Sequence, residues 1–479
     1  MFFMVLDGIE PKRVMYYFEK LCLVPHGSGN TAEATKLCRE FAKDNNLKYS
    51  EDSLGNCVIT KNATVGYENS PAVILQGHLD MVCEKTADCI IDMSKEGLNL
   101  KVSGDNIYAE GTTLGGDDGI AVAMMLAILE DKNIEHPKIE ALFTVDEEIG
   151  MIGATALDTS ELTGRYLINL DSEDEGVFTV SCAGGVVAIC TLPVDREQYA
   201  GDCYKIEISG LCGGHSGAEI NKGRANADIL MGRLLSELSN HMNLRIISVS
   251  GGLKDNAIPA YSCAEIVCDS DPSGIVSQMQ DTFNNEFVVA ENGITVKSTN
   301  ISARNIPMNL DSTNRIITAL CCYPNGIQSM SLEIEGLVKT SLNLGILRTE
   351  NDKVIASFCV RSSVFTEKKA LVDRLQLLTN TLGGTVVTEG DYPPWEYNRD
   401  SKLRDIMVEV FERMYHRKPI IEAIHAGIEC GILTGKMPGL ECVSIGPDIQ
   451  DIHTPAERMS IASVQRLWKY LLEVLKNIR

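Results

Sequence analysis

Short apolar runs alternate with amphipathic segments along much of this chain. Two amphipathic helices are predicted within 11–46, separated by Pro25 and the glycines of 24–30, with Thr31 as the N-cap of the second. A glycine-rich turn at 111–119 leads into a long apolar helix that ends near 129. Buried strands are predicted at 57–60, 71–82, 141–145, 166–170 and 442–446. Strands that alternate with helices indicate an α/β fold with a mostly parallel central sheet and flanking helices.

The segment 185–388 has a different pattern, in which half-exposed strands pair as hairpins with helices between them. This is an α+β signature. Each half is predicted to contain a helix, two strands, a second helix and a final strand. In the first half these elements span 224–240, 244–268, 274–285 and 293–299. In the second half they span 311–322, 331–361, 367–382 and 384–388. The halves share no motif at residue level, so the periodicity is coarse. It predicts a two-lobed domain, 185–388, inserted into a discontinuous domain formed by 1–184 and 389–479.

Composition narrows the class of protein. The chain has 479 residues, 44% hydrophobic and 23% charged, which suggests more than one globular domain. No run approaches the roughly 20 apolar residues of a membrane helix. Residues 1–6 lack a basic leader and are soon followed by Asp7 and Glu10, so we expect no signal peptide and a cytoplasmic location. The net charge of −23 argues against nucleic acid or an anionic membrane as a partner.

The sixteen cysteines show no CxxC spacing, and most lie in apolar segments. This pattern predicts reduced core residues in a reducing compartment. The residues concerned are Cys83, Cys190, Cys263, Cys268 and Cys359.

The clearest chemical signal is the apolar run 141–145, which ends in Asp146, Glu147 and Glu148. Because burying an unpaired carboxylate is costly, these side chains must be solvated, paired or bound to a metal. An exposed acidic turn is the ordinary alternative, since charge runs are usually solvated. The remaining motifs favour a metal.

Other predicted strands and helices also end or begin with ligand-type residues. His78 and Asp80 are two apart at the end of one strand and therefore face the same side. In that arrangement a carboxylate can hold a metal-bound histidine in one tautomer, although the pair alone is weak evidence. Asp117 and Asp118 begin the apolar helix, where an ordinary N-cap is the alternative reading.

Asp171 follows another apolar strand, and His453 follows the last one after a short connection. Open α/β sheets place their sites beyond the carboxyl ends of such strands. The collected candidates are His78, Asp80, Asp117, Glu147, Glu148, Asp171 and His453. Three carboxylates and two imidazoles suit a pair of zinc or similar ions, which leaves Glu147 free to act as a base.

Six motifs together carry a resemblance to a known family: GHLDMV, GTTLGGDDG, VDEEIGMIGA, INLDSEDEG, GGHSGAE and DIHTPAE. They resemble the co-catalytic zinc peptidases of the aminoacylase and glutamate-carboxypeptidase type. They occur in order over nearly the whole chain. Within that family the sequence is most similar to the subgroup that hydrolyses Xaa-His dipeptides, including carnosine-like substrates.

The resemblance implies a role for each candidate ligand. Asp117 would bridge two divalent metal ions, with zinc expected and cobalt or manganese as alternatives. His78 and Asp171 would complete one metal site, and Glu148 and His453 the other. It also implies a cis peptide bond after the bridging aspartate.

The resemblance further implies the catalytic machinery. Glu147 would activate a metal-bridging water as general base, and Asp80 would orient His78. From the inserted domain, His215 would reach over the metals to stabilise the oxyanion. Asn256 and Arg361 would help to hold the substrate. In dimeric relatives with a single-lobed lid this histidine comes from the other subunit, so two lobes predict that His215 acts on its own chain.

The same residues are compatible with several alternative functions. The same ligands serve tripeptidases and N-acyl amino acid deacylases, and a non-catalytic metal-binding relative is a further alternative. The retention of both Glu147 and Glu148 argues against the last of these. The physiological metal, the breadth of specificity and whether the chain forms a homodimer are not determined by the sequence.

Overall fold

The structure is a computed structural model that describes residues 4–302 and 305–479. The chain divides into two compact units. The first extends to Ser181 and also includes Tyr397–Ala423 and Ile428–Arg479, and the second comprises Cys182–Glu396 and Ile424–Gly427. The sequence predicted an insertion over 185–388, and the return of 424–427 to the second unit had no sequence signal.

The strands are β1 (Lys48–Glu51), β2 (Cys57–Lys61), β3 (Val73–His78), β4 (Leu100–Ser103), β5 (Asn106–Ala109), β6 (Ile139–Thr144), β7 (Tyr166–Asn169), β8 (Val177–Cys182), β9 (Gly184–Pro193), β10 (Asp202–Ser209), β11 (Gly214–His215), β12 (Leu244–Gly251), β13 (Ala257–Ile258), β14 (Ser262–Cys268), β15 (Thr295–Ile301), β16 (Gly326–Met330), β17 (Val338–Thr349), β18 (Lys353–Ser362), β19 (Thr385–Tyr392), β20 (Ile420–Ile424), β21 (Glu441–Ser444), β22 (Ile449–Gln450) and β23 (Arg458–Ser460).

The helices are α1 (Lys12–Cys22), α2 (Ala32–Asp44), α3 (Gly116–Glu130), α4 (Ile152–Ala156), α5 (Ala227–His241), α6 (Ser273–Glu286), α7 (Leu310–Cys322), α8 (Phe365–Thr381), α9 (Lys402–Tyr415), α10 (Glu429–Lys436) and α11 (Ile461–Asn477), with a 3₁₀ turn at Ile220–Lys222.

An eight-stranded sheet runs in the order β1-β2-β6-β3-β7-β21-β8-β20. Four of its strands, β6, β3, β7 and β21, are adjacent and parallel to one another. The pairs β1/β2, β2/β6 and β21/β8 are antiparallel. The predicted α/β class is confirmed, and these four parallel strands are the ones whose ends carry the candidate ligands. Because those strands are parallel and adjacent, their carboxyl ends share one edge of the sheet.

Helix α3 is the apolar helix predicted after the glycine-rich turn. Every residue from Gly119 to Leu129 is buried, which explains the continuous apolar run. Gly119 allows α1 to approach closely, since a Cβ there would lie 3.2 Å from Leu21 and 3.3 Å from Phe18. The tight packing fixes the N-terminal end of α3, where Asp117 lies.

The second unit contains a nine-stranded sheet in the order β15-β10-β14-β12-β17-β18-β9-β19, with β16 beside β17. The two predicted lobes are its two halves, and they join edge to edge where Gly251 pairs with Leu347. Strand β9 comes before the first lobe in the chain but lies in the second lobe, between β18 and β19. One hydrophobic core runs through both lobes, so the insertion is a single α+β body.

Three local expectations need correction. Thr31 precedes α2, but its side chain makes no capping hydrogen bond. Strand β17 begins at Val338, later than predicted, because Gly336 adopts a positive φ of 77° in the preceding turn. Cys83 is exposed and Cys263 partly exposed, whereas Cys190, Cys268 and Cys359 are buried as predicted, and none of the sixteen cysteines forms a disulfide bond. In the described part of the chain, no helix is long and apolar enough to cross a membrane.

Asp228 is an unusual buried acid in the first turn of α5. It is fully buried, and neither carboxylate oxygen has a well-formed hydrogen bond among the residues that the structure describes. Gly251 of β12 lies against it, since a Cβ there would come within 1.8 Å of Asp228 Oδ1. Burial raises the pKa of Asp228 to about 7, although the neighbouring Ser262 hydroxyl opposes the shift.

This shift predicts a pH-dependent stability of the second unit. The folded protein keeps a proton on Asp228 that the unfolded chain releases above its ordinary pKa. The stabilisation is therefore complete below about pH 4 and is lost as the pH rises to about 7. Asp228→Asn removes the ionisation. We compare the free energy of unfolding of this variant with that of the wild type. The difference, variant minus wild type, should be larger at pH 8 than at pH 5 by on the order of 2 kcal/mol.

Thermal or urea unfolding of both proteins at the two pH values measures this difference. Asp281→Asn, at an exposed position on α6, is the matched control and should show the same offset at both pH values. An offset for Asp228→Asn that does not change with pH would contradict the assignment.

Candidate metal centre

His78 is the last residue of β3, and its side chain is buried. Its Nδ1 lies 2.9 Å from the backbone oxygen of Asp80 and 3.5 Å from the Oδ1 atom of the same residue. Its Nε2 lies 3.2 Å from Asp117 Oδ1 and 3.4 Å from Asp171 Oδ1. One ring nitrogen is thus held by Asp80, and the other points into a group of carboxylates.

Asp117 lies between two imidazoles. While its Oδ1 contacts His78, its Oδ2 lies 3.2 Å from His453 Nε2. The same nitrogen of His453 lies 2.9 Å from Glu148 Oε1. Each oxygen of one carboxylate therefore faces a different histidine, which is the arrangement that a carboxylate bridging two cations requires.

Asp117 and Asp118 are adjacent at the start of α3, but their side chains make different contacts. Gly115 adopts a left-handed conformation with φ of 66°, and the Asp117–Asp118 peptide bond is cis, as the resemblance implied. Asp118 is buried, and its Oδ2 accepts the backbone N–H of His78 at 3.1 Å. Asp117 meets the imidazoles, while Asp118 fixes the end of β3.

Asp80 organises more of the site than the sequence indicated. Its Oδ1 accepts the backbone N–H of Glu147 at 3.0 Å, and its Oδ2 accepts that of Glu148 at 3.3 Å. The Ser28 hydroxyl donates to Oδ2 at 2.8 Å. The carboxylate of Asp80 therefore holds the turn after β6, while the backbone oxygen of the same residue contacts His78 Nδ1.

The electrostatics of the site are dominated by crowded carboxylates. Burial alone would lower the pKa of His78, but Asp171 and Asp117 outweigh it and raise that pKa well above its ordinary value. Burial raises the pKa of Asp171, against the opposing effect of His78. Burial also raises the pKa of Glu147 to about 8; His78 opposes this shift, and the nearby carboxylates of Glu429 and Glu148 add to it.

These observations test whether the residues fit divalent cations. Within the described part of the chain, two groups have ligand atoms that all lie within 4.8 Å of one another: His78, Asp117 and Glu148, and His78, Asp118 and Asp171. Imidazole nitrogens and carboxylate oxygens are ligands that zinc and similar ions accept. Positive charge at this place would relieve the repulsion that disfavours ionisation of Asp171 and Glu147. The donor set therefore fits a metal centre.

The sequence reasoning missed three acidic residues near the centre: Asp118 as a buried anchor, Glu173 and Glu429. Burial, together with Asp117, raises the pKa of Glu173 to about 7. Glu429, the first residue of α10, is fully buried beneath the strand ends and accepts the Thr144 hydroxyl at 2.7 Å and the Gln76 amide at 2.5 Å. The available signal was Gln76, a polar residue inside the wholly buried strand β3.

The candidate residues of the second unit form a cluster of their own. Strands β11 and β13 pair His215 with Ala257, and Ser216 donates its N–H to the backbone oxygen of Asn256 at 2.9 Å. His215 Nδ1 accepts the N–H groups of Gly217 and Ala218, at 3.3 and 3.0 Å. Because two donors face Nδ1, the neutral ring carries its proton on Nε2, where it is available as a hydrogen-bond donor.

Arg361 is a buried cation close to His215. Its Nη1 donates to the Tyr392 hydroxyl at 3.2 Å, and its Nε has no hydrogen-bond partner among the described residues. Arg361, Tyr392 and Asn256 line one cavity of about 470 Å³, together with Lys254 and Asp255. Burial lowers the pKa of His215, and the positive charge of Arg361 adds to that effect.

His425 is another residue that the sequence reasoning missed. It is buried in the same unit, and its Nε2 lies 2.7 Å from the Ser341 hydroxyl. Burial, together with Arg361, lowers its pKa to about 4, so the ring is neutral at physiological pH. Its only sequence signal is a lone histidine, which gives no indication of this environment.

Comparison with known proteins assigns the family. Residues 74–477 match the family model of peptidase family M20/M25/M40. The chain belongs to this family. As a peptidase it is a hydrolase. It is 35% identical over 479 residues to the cytosol non-specific dipeptidase of Escherichia coli K12, with 99% of each chain covered.

Solved structures agree with this family membership. The crystal structure of aminoacylhistidine dipeptidase from Vibrio alginolyticus matches with a TM-score of 0.94 and 34% identity, covering 99% of this chain and 98% of that one. Aminopeptidase PepT from Bacillus cereus matches with a TM-score of 0.58 and 17% identity over 98% of this chain and 99% of that chain, which shows a shared fold.

The contacts of Asp80 predict how this peptidase binds cations. Asp80→Ala removes the carboxylate oxygen 3.5 Å from His78 Nδ1 and the acceptors of the N–H groups of Glu147 and Glu148, while the backbone oxygen that contacts His78 remains, so the turn that carries Glu148 loses its support. We expect affinity for divalent cations to fall about 10–100-fold, as is typical when a group behind a ligand is removed. Titration of the metal-free protein with Zn²⁺ measures it. Asp174→Ala removes an exposed carboxylate of the nearby loop and is the control for charge alone; equal affinity losses in both variants would refute the positioning role.

Proposed function

We propose that this protein is a metal-dependent dipeptidase whose substrates include Xaa-His dipeptides and carnosine-like peptides. The observation that supports it best is the Asp117 carboxylate, whose two oxygens lie 3.2 Å from the imidazoles of His78 and His453. The names of two relatives support the substrate class, since one is a non-specific dipeptidase and the other an aminoacylhistidine dipeptidase. The cytoplasm is the proposed location, because the first of these is a cytosol enzyme.

In this proposal Asp117 would be shared by two divalent cations, with zinc the expected metal and cobalt or manganese as alternatives. His78 and Asp171 would complete one set of ligands, and Glu148 and His453 would complete the other. When bound, the cations would polarise the scissile carbonyl and lower the pKa of the attacking water.

Glu147 is the proposed general base. Its carboxylate takes a proton from the attacking water and returns it to the nitrogen of the leaving amino acid. Asp80 holds the backbone N–H of Glu147 at 3.0 Å, so the base is attached to the same anchor as His78. Because Asp80 contacts both residues, the base keeps its position relative to the ligands.

The second unit supplies the proposed substrate contacts. The Nε2–H of His215 is a donor for the negative charge that develops on the carbonyl oxygen. Arg361 is the proposed partner of the dipeptide carboxylate, because it is a buried cation whose Nε is free of any described partner. Asn256 lines the same cavity and holds the peptide.

Hydrolysis assays test the substrate class. The purified protein should cleave Xaa-His and other dipeptides faster than tripeptides or N-acyl amino acids, and a chelator should abolish the activity. Preference for tripeptides or for acyl amino acids would select those alternative functions. Absence of hydrolysis with metal bound would select a non-catalytic binding role.

The adjacent glutamates separate binding from catalysis in the same assay. Glu147→Ala should lose turnover and retain about two metal ions, because it removes only the base. Glu148→Ala should lose or weaken one ion. Elemental analysis after dialysis gives the metal content, and the reverse pattern would exchange the two roles.

The proposed role of His215 as a hydrogen-bond donor predicts that its removal lowers the rate without loss of metal. Because a hydrogen bond to a developing oxyanion is typically worth about 10²–10³ in kcat, His215→Ala should lose this factor with its metals intact. Mixing inactive His215→Ala with inactive Glu147→Ala, under conditions of subunit exchange, tests whether the histidine acts on its own chain. We expect no recovery, and recovered hydrolysis would show that it is supplied by a partner.

A further inference from the structure

Glu457 accepts hydrogen bonds from a whole turn of backbone. Its Oε2 accepts the N–H groups of Leu114 and Gly115 at 2.7 and 3.1 Å. Its Oε1 accepts those of Gly116 and Asp117 at 2.8 and 3.4 Å. The side chain is 2% exposed, so these contacts are shielded from water. A buried carboxylate that accepts several N–H groups is a strong and specific anchor.

The anchored turn ends at Asp117, while Glu457 belongs to the loop that carries His453. That loop is closed locally, since Glu457 donates its N–H to the backbone oxygen of Thr454 at 3.1 Å. Immediately after Glu457, β23 pairs with β5, so the position of Glu457 is fixed by a sheet. Glu457 is therefore a rigid connection between two loops that are more than 300 residues apart in sequence.

The distance between His453 and Asp117 depends on this connection. His453 is about half exposed and adopts a positive φ of 60°, so the burial of its own side chain does little to fix it. Asp117 lies at the start of α3, where Gly115 and Gly116 provide no side chains to hold the turn. In the described structure Glu457 contacts the Asp117 turn directly and lies four residues from His453.

We propose that Glu457 is a positioning residue that holds the Asp117 turn against the His453 loop. In this way it sets the cation site to which Glu148 and His453 are assigned. The inference rests on the proposed function, since it concerns the ligands assigned there. Glu457 is not one of the proposed ligands, so the ligand set alone assigns it no role. Glu457 itself does not face the cations or the substrate, because both of its oxygens are occupied by backbone N–H groups.

Glu457→Gln is the informative variant, because it preserves shape and removes one acceptor oxygen. An amide nitrogen would then face two N–H groups, donor against donor, and half of the anchor would be lost. Glu457→Asp is the second variant; it keeps the charge, but its shorter side chain cannot reach both pairs of N–H groups. Circular dichroism and gel filtration establish that each variant is folded.

Titration of the metal-free proteins with Zn²⁺ is the main measurement. We expect Glu457→Gln to bind one ion as wild type does and the other about 10–100-fold more weakly. The visible absorption of Co²⁺-loaded protein should change, since it reports coordination geometry. On a dipeptide substrate kcat should fall while KM stays near the wild-type value, because the cavity of the second unit is unchanged.

Glu140→Gln is the matched control. Glu140 lies near the start of β6 in the same unit and accepts the N–H groups of Thr163 and Gly164 at 2.9 and 3.0 Å. It is the same kind of anchor at the opposite end of the strand from Glu147. We expect it to lower the unfolding temperature and leave Zn²⁺ affinity unchanged.

The outcomes separate this inference from the function on which it rests. Wild-type affinity for both ions in Glu457→Gln and Glu457→Asp would overturn the positioning role and leave the function intact. An equal loss of affinity in Glu140→Gln would also overturn it, because a general loss of stability would then explain the effect. A wild-type protein that binds no divalent cation would overturn the proposed function, and this inference with it.

Discussion

Accumulated negative charge at the carboxyl ends of four parallel strands is the constraint on which the centre depends. Asp117, Asp171, Glu147 and Glu148 lie there beside the imidazoles of His78 and His453. Burial, with a smaller contribution from the neighbouring carboxylates, raises the pKa values of Asp171 and Glu147. Divalent cations resolve the conflict, which is why the same residues that would repel one another are suited to bind metal.

The site stays assembled because other carboxylates act as structural anchors. Asp80 accepts N–H groups from the turn after β6, Asp118 accepts the N–H of His78, and Glu457 accepts four from the turn before α3. Each anchor holds the backbone next to a candidate ligand. Acidic residues of this protein thus have two distinct uses, and only the hydrogen bonds of each distinguish them.

The second unit supplies complementary chemistry. Its cluster of His215, Asn256 and Arg361 offers hydrogen-bond donors and a positive charge, whereas the cluster of the first unit consists of carboxylates and imidazoles. Arg361 lies on β18 of the nine-stranded sheet, and His215 lies on the separate β11/β13 pair, beside Asn256.

The sequence alone determined the elements and the chemical identity of the centre. Apolar runs that end in Asp, Glu or His gave the strands β3, β6, β7 and β21, because burial and charge leave a direct mark on residue type. The two helices of 11–46 and both lobes of the insertion were also predictable. The roles of Asp118, Glu429, His425 and Glu457 were not, because a carboxylate or imidazole has the same sequence signature whether it meets a cation, a backbone N–H or another side chain. Only the tertiary structure decides among these partners, since they come from segments hundreds of residues apart whose contacts depend on how the strands and loops pack.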